Sequence, residues 1–248
     1  MSTDLSRLDA SPTAWTEADS ADFIASGHLF IPQEGRVRRM ILSLLDSVAP
    51  TTHIAELGCG AGRLLSDVAG RHASARLLAV DRSTLMIDAA RQRCLEHVNR
   101  IQFRSLDLVD AGVLDGASAF DAVYSSLTIH HLDDLQKVAL FQRVYDGLRT
   151  GGIFVYFDMF MPVSALGLSI AAEEWPLEVQ SQGNASGSPG AVDRFNELRW
   201  NYYADPAGDP SDKPSSVFDV SSWLAAIGFR DVDIVWMSAG HALLVAKK

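Results

Sequence analysis

The chain of 248 residues has little cysteine, no long apolar run and no surplus of basic side chains. Each shortage removes a class of function. Two cysteines, Cys59 and Cys94, make neither a disulfide framework nor a metal-ligand spacing. No stretch reaches the roughly 18 uninterrupted apolar residues of a membrane span. The opening segment, MSTDLSRLDASPTAWTEADSADF, carries acids where a secretory signal needs an apolar core. A reducing, cytoplasmic setting without a membrane partner is the expectation. Lys and Arg number 21 against 31 Asp and Glu, for a net charge of −10. Binding to nucleic acid draws its affinity from basic side chains on phosphates, so this balance makes nucleic acid an unfavourable partner. There is also no internal repeat. What is present is 48% hydrophobic and 21% charged residues, ordinary for a chain that buries a full core.

After a polar start, apolar residues recur at helical spacing from Gly35 to Val48, ahead of Pro50. Strand-like and helix-like segments then alternate. HIAEL, RLLAVD, IQFRS, FDAVYSS and IFVYFD read as five strands. Between them the spacing predicts helices over AGRLLSDVAGR, over STLMIDAARQRCLEHV with Ser83 as N-cap, and over DLQKVALFQRVYDGLR, ended by Thr150-Gly151-Gly152. Such alternation implies parallel βαβ units in a doubly wound sheet. From 159 to 216 the character changes: two helix-like runs, the second being VDRFNELRWNYY, are set among Gly-, Pro- and Ser-rich turns. The sheet pattern returns with a helix over VSSWLAAIGF and two strands, DVDIVW and HALLVAKK, joined by a turn short enough to make them antiparallel. The expected organisation is an N-terminal helical cap segment over 1–49 and a main domain over 50–248 with a lid-like insertion at about 159–216.

The most specific stretch is IAELGCGAGRLL, from Ile54 to Leu65, a strand-like run that breaks into alternating glycines before a helix-like run. A dinucleotide fingerprint places its third glycine where this chain has Arg63, and a P-loop needs Lys then Ser or Thr where it has Arg63-Leu64. Both phosphate readings fail. The carboxylate of Glu56 points the same way, since it repels a pyrophosphate and suits an ammonium or a sulfonium. Asp81, ending the second strand, is placed to accept from two ribose hydroxyls, a position that fits NAD equally well.

Glu56-Leu57-Gly58-Cys59-Gly60-Ala61-Gly62 resembles the first motif of the class I, Rossmann-like S-adenosylmethionine-dependent methyltransferases, of the small-molecule type, and the likeness extends from about Thr52 to Asp158. It implies a mostly parallel seven-stranded sheet in the order 3-2-1-4-5-7-6, strand 7 antiparallel, with helices on both faces and S-adenosylmethionine at the carboxyl ends of strands 1 and 2. It further implies that Glu56, Gly58, Cys59, Gly60 and Gly62 run against the amino-acid half of the cofactor. Asp81 and Arg82 then lie at the ribose, Met86 against the adenine, Asp107 and the Leu108 backbone N–H on the adenine edge, and Ser125 beside the methyl donor.

The fourth-strand region decides what is methylated in such enzymes. Tyr124-Ser125-Ser126-Leu127 is not the Asn/Asp-Pro-Pro-aromatic tetrapeptide of planar-nitrogen methyltransferases, and the Pro-Cys pair of cytosine C5 enzymes is missing. His130 and His131 admit two readings: one caps the next helix while the other packs, or His130 is a general base. Asp158, ending strand 5, is either a second catalytic group or a cap. Glu174, Trp200, Tyr202 and Tyr203 from the insertion form either an aromatic-walled pocket for an amine or planar small molecule, or a satellite core. No metal is implied. The reading is a methyltransferase acting on an O, N or C atom of a small molecule, with a homodimer as the possible assembly. The alternatives are a catalytically silent S-adenosylmethionine-binding partner and a tRNA-nucleoside modifying enzyme using that cofactor or a derivative.

Overall fold

The computed structural model describes residues 15–48, 50–115 and 119–248; the first fourteen residues of the expected cap segment lie outside them. Seven strands form one sheet: β1 His53–Leu57, β2 Arg76–Asp81, β3 Ile101–Ser105, β4 Phe120–Ser126, β5 Leu148–Met159, β6 Arg230–Ser238 and β7 His241–Lys247. Their order is β3-β2-β1-β4-β5-β7-β6, with β1 to β5 parallel and β7 antiparallel to both neighbours. This is the expected order.

Strands buried on both faces are continuous apolar runs, and alternate residues feed two cores. Ile54, Ala79, Tyr124 and Val155 pack on one face under α2 (Glu34–Asp46), α3 (Arg63–Arg71) and α4 (Thr84–Arg93). Ala55, Val80, Val123 and Phe154 pack on the other under α5 (Asp134–Gly147) and α8 (Val217–Ile227). Ser83 caps α4 through the Met86 N–H, as its sequence position implies. A third cluster lies over the carboxyl ends of the strands, where the insertion, α6 (Ala165–Ala185) and α7 (Ala191–Glu197), packs Trp175, Val179, Phe195, Tyr202 and Tyr203 against Leu29, Phe30 and Met159. Helix α1 (Glu17–Ser26) joins it from the N-terminal side, closed by a Thr16–Asp19 capping box.

Three local expectations are corrected. The fifth helix ends at Gly147, not at Thr150, because Leu148 is drawn into the core at 1% exposure and starts β5; the extra residues before Ile153 form an irregularity against β4. The aromatic run of the insertion is not one helix. Arg199 turns into the left-handed region at φ 55°, so Trp200 leaves the helix axis and Tyr202–Ala204 makes a separate 3-10 turn. Neither histidine caps α5, since Asp133 does so in a capping box with Gln136.

Helix α6 holds Pro176 in its interior. Proline leaves the carbonyl four residues back without its N–H. Here that carbonyl, of Ala172, accepts from the Asn201 side-chain amide at 2.9 Å. The contact restores the lost bond and ties the tail of the insertion to α6.

Candidate active site

A cavity of about 740 Å³ opens at the carboxyl ends of β1, β2 and β4, roofed by α1 and the insertion. Its floor is the glycine loop. Gly58 takes φ +72°, and a Cβ there would sit 2.1 Å from Thr128 Oγ1. Gly62, at φ +74°, would put a Cβ 2.9 Å from the Ala90 backbone of α4. Side chains are thus excluded twice, once where β4's loop closes over the floor and once where α3 meets α4. Gly58, Cys59 and Gly60 line the cavity, whereas Gly62 does not: it is a packing glycine.

Glu56 is 2% exposed, and its one hydrogen-bond donor among the described residues is the Tyr124 hydroxyl at 3.0 Å. Burial pushes its carboxyl well above the usual range, and neighbouring Asp81 adds to the effect. A buried acid facing a cavity with only a neutral donor favours a cationic guest. Asp81 accepts from the Gly60 N–H at 2.8 Å and the Ser83 N–H at 3.0 Å. Burial raises its pKa and those two bonds oppose the rise. Each of its oxygens so keeps one lone pair for a guest hydroxyl. Burial also pushes the Cys59 thiol well up, leaving an inert side chain rather than a nucleophile. Met86, Arg82, Asp107 and Leu108 line the same end of the chamber. These side chains fit an adenosine with a cationic amino-acid tail.

The other end is polar and aromatic. Asp158, wholly buried, accepts from the His130 backbone N–H at 3.1 Å and pairs with His130 Nδ1. On the far side His130 Nε2 lies 3.5 Å from Asp212 Oδ1, and His131 Nδ1 lies 3.0 Å from the same oxygen. Burial alone would lower the His130 pKa, but the Asp158 and Asp212 carboxylates push it up to about 10. An imidazole held protonated is a donor, not a free general base. Asp212 is fixed in place by its neighbours: the Lys213 N–H donates to His130 O at 2.8 Å, and buried Lys137 Nζ donates to Ser215 Oγ at 2.6 Å and to Lys213 O. His241 is a further imidazole on the wall. Its Nδ1 donates to Ala239 O at 2.8 Å, burial pushes its pKa down to about 4, and its Nε2 has no partner among the described residues.

Of the expected site residues, Glu56, Gly58, Cys59, Gly60, Asp81, Arg82, Met86, Asp107, Leu108, His130 and Trp200 line one cavity. The others do not. Ser125 donates to Leu57 O at 2.8 Å within the sheet, and its neighbour Ser126 faces the chamber instead. Asp158 lies beneath His130. Glu174 is solvent-exposed, because the helical period of α6 turns Ala171, Trp175 and Val179 inward and leaves it outside. Tyr202 and Tyr203 belong to the satellite core, the Tyr203 hydroxyl donating to Gly240 O at 2.7 Å. Sequence reasoning missed Trp15, His241 and Asp212, all on the wall.

Residues 54–152 match the family model of a methyltransferase domain. Among curated proteins, the carboxy-S-adenosyl-L-methionine synthase of Citrobacter koseri is 28% identical over 135 residues, 52% of this chain and 53% of that protein. The enzyme of that name from Sodalis glossinidius is 30% identical over 138 residues, with the same coverage. The chain thus spans about half the length of the curated relatives it matches. Among solved structures, an O-methyltransferase family protein from Burkholderia thailandensis superposes with a TM-score of 0.62 at 16% identity, covering 94% of this chain and 60% of that one. The N-methyltransferase NodS of Bradyrhizobium japonicum, solved with S-adenosyl-L-homocysteine, gives 0.57 at 18% identity, covering 87% and 86%. Domain match, sheet order and glycine-loop geometry agree: residues 54–152 form a methyltransferase domain within a class I, Rossmann-like sheet, and S-adenosylmethionine is the cofactor its loop accommodates.

Proposed function

We propose that the protein methylates a hydroxyl or amine of a small molecule held between the sheet and the roof made by α1 and the insertion. The observation that carries this reading is the continuity of the cavity. Its adenosine-type end (Glu56, Gly58, Gly60, Asp81) and its aromatic, polar end (His130, His131, Trp200, His241) share one continuous cavity of about 740 Å³, within the roughly 300–1,000 Å³ typical of small-molecule sites.

The cofactor supplies a methyl group on a sulfonium, electrophilic without help from the protein. The chain's task is therefore to orient and to exclude water. Asp81 accepts from ribose hydroxyls, and Glu56 meets the cationic tail. His241 Nε2 accepts from the O–H or N–H of the methyl acceptor, a role that its missing partner and low basicity suit. His130, anchored by Asp158, presents positive charge at the same end. Trp15 packs on Trp200 with ring centroids 5.9 Å apart, so the N-terminal segment and the insertion close on each other above the chamber as a lid.

The test is incubation with S-adenosylmethionine labelled in its methyl group and fractionated metabolites. The expected result is label in one small-molecule fraction with matching formation of S-adenosylhomocysteine. Carboxylation of the cofactor, the activity in the relatives' names, would instead give a cofactor heavier by one carboxyl group. Label entering only tRNA would favour the nucleoside-modifying reading. Binding of the cofactor with no product from any fraction would leave a silent binding protein and end the proposal.

A further inference from the structure

The cluster around Asp212 brings three ligand-type side chains to one point of the cavity wall. One donor atom each from His130, His131 and Asp212 lies within 4.8 Å of the others. Asp212 Oδ1 is 3.5 Å from His130 Nε2 and 3.0 Å from His131 Nδ1. An ion bound at about 2.1 Å to each ligand spaces neighbouring ligands about 3.0–3.4 Å apart, from octahedral to tetrahedral geometry. The two separations to Asp212 lie at those edges. We propose that His130, His131 and Asp212 are the protein ligands of a divalent first-row transition-metal ion.

Three further features support it. The Nδ1 atom of His130 is engaged by the wholly buried carboxylate of Asp158, which turns Nε2 toward Asp212; in the metal-free chain that nitrogen carries a proton, which an ion binding there displaces. A carboxylate behind a histidine ligand is the usual outer support of such a site. The loop bearing Asp212 is tied to the site by the Lys213 N–H on His130 O and by the Lys137 ammonium on Ser215, and an ion at His131 Nδ1 replaces that atom's 3.3 Å contact with Ser211 O. Finally, two carboxylates flank one imidazole, an arrangement that stabilises positive charge at this point, and a dication meets that demand as well as a proton does. Two imidazoles and one carboxylate favour zinc, iron(II) or cobalt(II) over magnesium or calcium.

All three ligands line the cavity, so the ion's remaining positions face its interior. An oxygen donor of the bound acceptor takes one of them. This deepens the proposed function, on which the identity of that oxygen rests: the ion acts as a Lewis acid on an acceptor hydroxyl, whose oxygen bonds to the methyl carbon as the carbon–sulfur bond breaks and S-adenosylhomocysteine leaves, the hydroxyl proton passing by way of His241 Nε2 to solvent. The acceptor class is thereby narrowed to oxygen nucleophiles, with phenols and enols the most readily ionised.

The experiment uses the full chain, stripped with chelator and titrated with Co²⁺ while the visible absorption is recorded, followed by displacement with Zn²⁺. One Co²⁺ per chain with ligand-field bands is expected. His131→Ala and Asp212→Asn should each weaken binding at least 100-fold, and the same preparations should keep S-adenosylhomocysteine affinity within about threefold. His131 is 23% exposed, so His131→Ala does not threaten the core and remains the deciding variant. Absence of the bands, or equal Co²⁺ affinity in the wild type and His131→Ala, would overturn the site. The two readings separate cleanly. S-adenosylhomocysteine binding without Co²⁺ binding sinks the metal site alone, and Co²⁺ binding through these residues without S-adenosylhomocysteine binding sinks the methyltransferase reading alone.

Discussion

Replacing Glu56 by Gln isolates the charge of one buried carboxylate. Shape is conserved, and the amide oxygen still accepts from the Tyr124 hydroxyl at 3.0 Å, so the floor of the cavity survives. What is lost is a charge-assisted bond to a cationic guest, about 1.5–3 kcal/mol, or about a 10- to 150-fold rise in Kd. Calorimetry with S-adenosylmethionine reads it directly. 5′-Methylthioadenosine, which has neither ammonium nor sulfonium, is the internal control and should bind wild type and variant alike. The free proteins should differ in the opposite sense. Burial raises the Glu56 pKa in the fold, so its stabilising contribution is full below the unfolded carboxyl value and is lost as pH rises through the folded one. At pH 7 the variant, having no buried charge to tolerate, should therefore melt at or above the wild-type temperature. Cofactor affinity of the wild type should fall as pH drops through the raised pKa, and that of the variant should not. A normally folded Glu56→Gln chain that binds S-adenosylmethionine as tightly as wild type would refute the reasoning.

Asp81→Ala removes the ribose acceptor and also strips the Gly60 and Ser83 N–H groups of their partner. Cofactor Kd should rise at least tenfold, with a stability loss of about 1–3 kcal/mol by denaturant titration; an unchanged Kd would reduce Asp81 to a loop cap. Tyr203→Ala and Trp200→Ala should part company. Tyr203 is core, so its loss should cost about 3–5 kcal/mol, whereas Trp200, on the cavity wall, should raise acceptor KM with little change in melting temperature. Equal destabilisation by both would return Trp200 to the satellite core. Asn201→Ala should leave Ala172 O without its donor, costing about 1–3 kcal/mol and speeding hydrogen exchange in the middle of α6; unchanged exchange there would make the amide contact incidental.

The sheet was legible because central parallel strands are buried on both faces, and HIAEL, RLLAVD and FDAVYSS are mostly apolar and buried almost without a break. The cofactor end was legible for a related reason. Its residues sit directly after strands, where the fold itself places them, so local sequence and three-dimensional position coincide at Glu56, Gly58 and Asp81. The start of β5 was not legible, because the helical spacing of α5 continues through Leu148 and only the tertiary demand for a core leucine breaks it. Glu174 and Tyr203 were misplaced because composition says that an aromatic-rich insertion has an inner face but not which residues form it. Asp212 carries no local sign of its role. It sits in a turn-rich stretch among Asp, Pro and Ser, and is brought against His130 with the help of the Lys213 N–H on His130 O, a contact between segments far apart in sequence. His241 lies in an edge of the hairpin pattern, where alternation alone assigns it a face and not a function.

The central claim is that the glycine-loop cavity is built for S-adenosylmethionine. A calorimetric titration of the purified chain tests it most directly: one site with micromolar-range affinity, about −8 kcal/mol, for S-adenosylmethionine or its demethylated product, and no heat with NADH. A clear NADH isotherm with none for S-adenosylmethionine would contradict it.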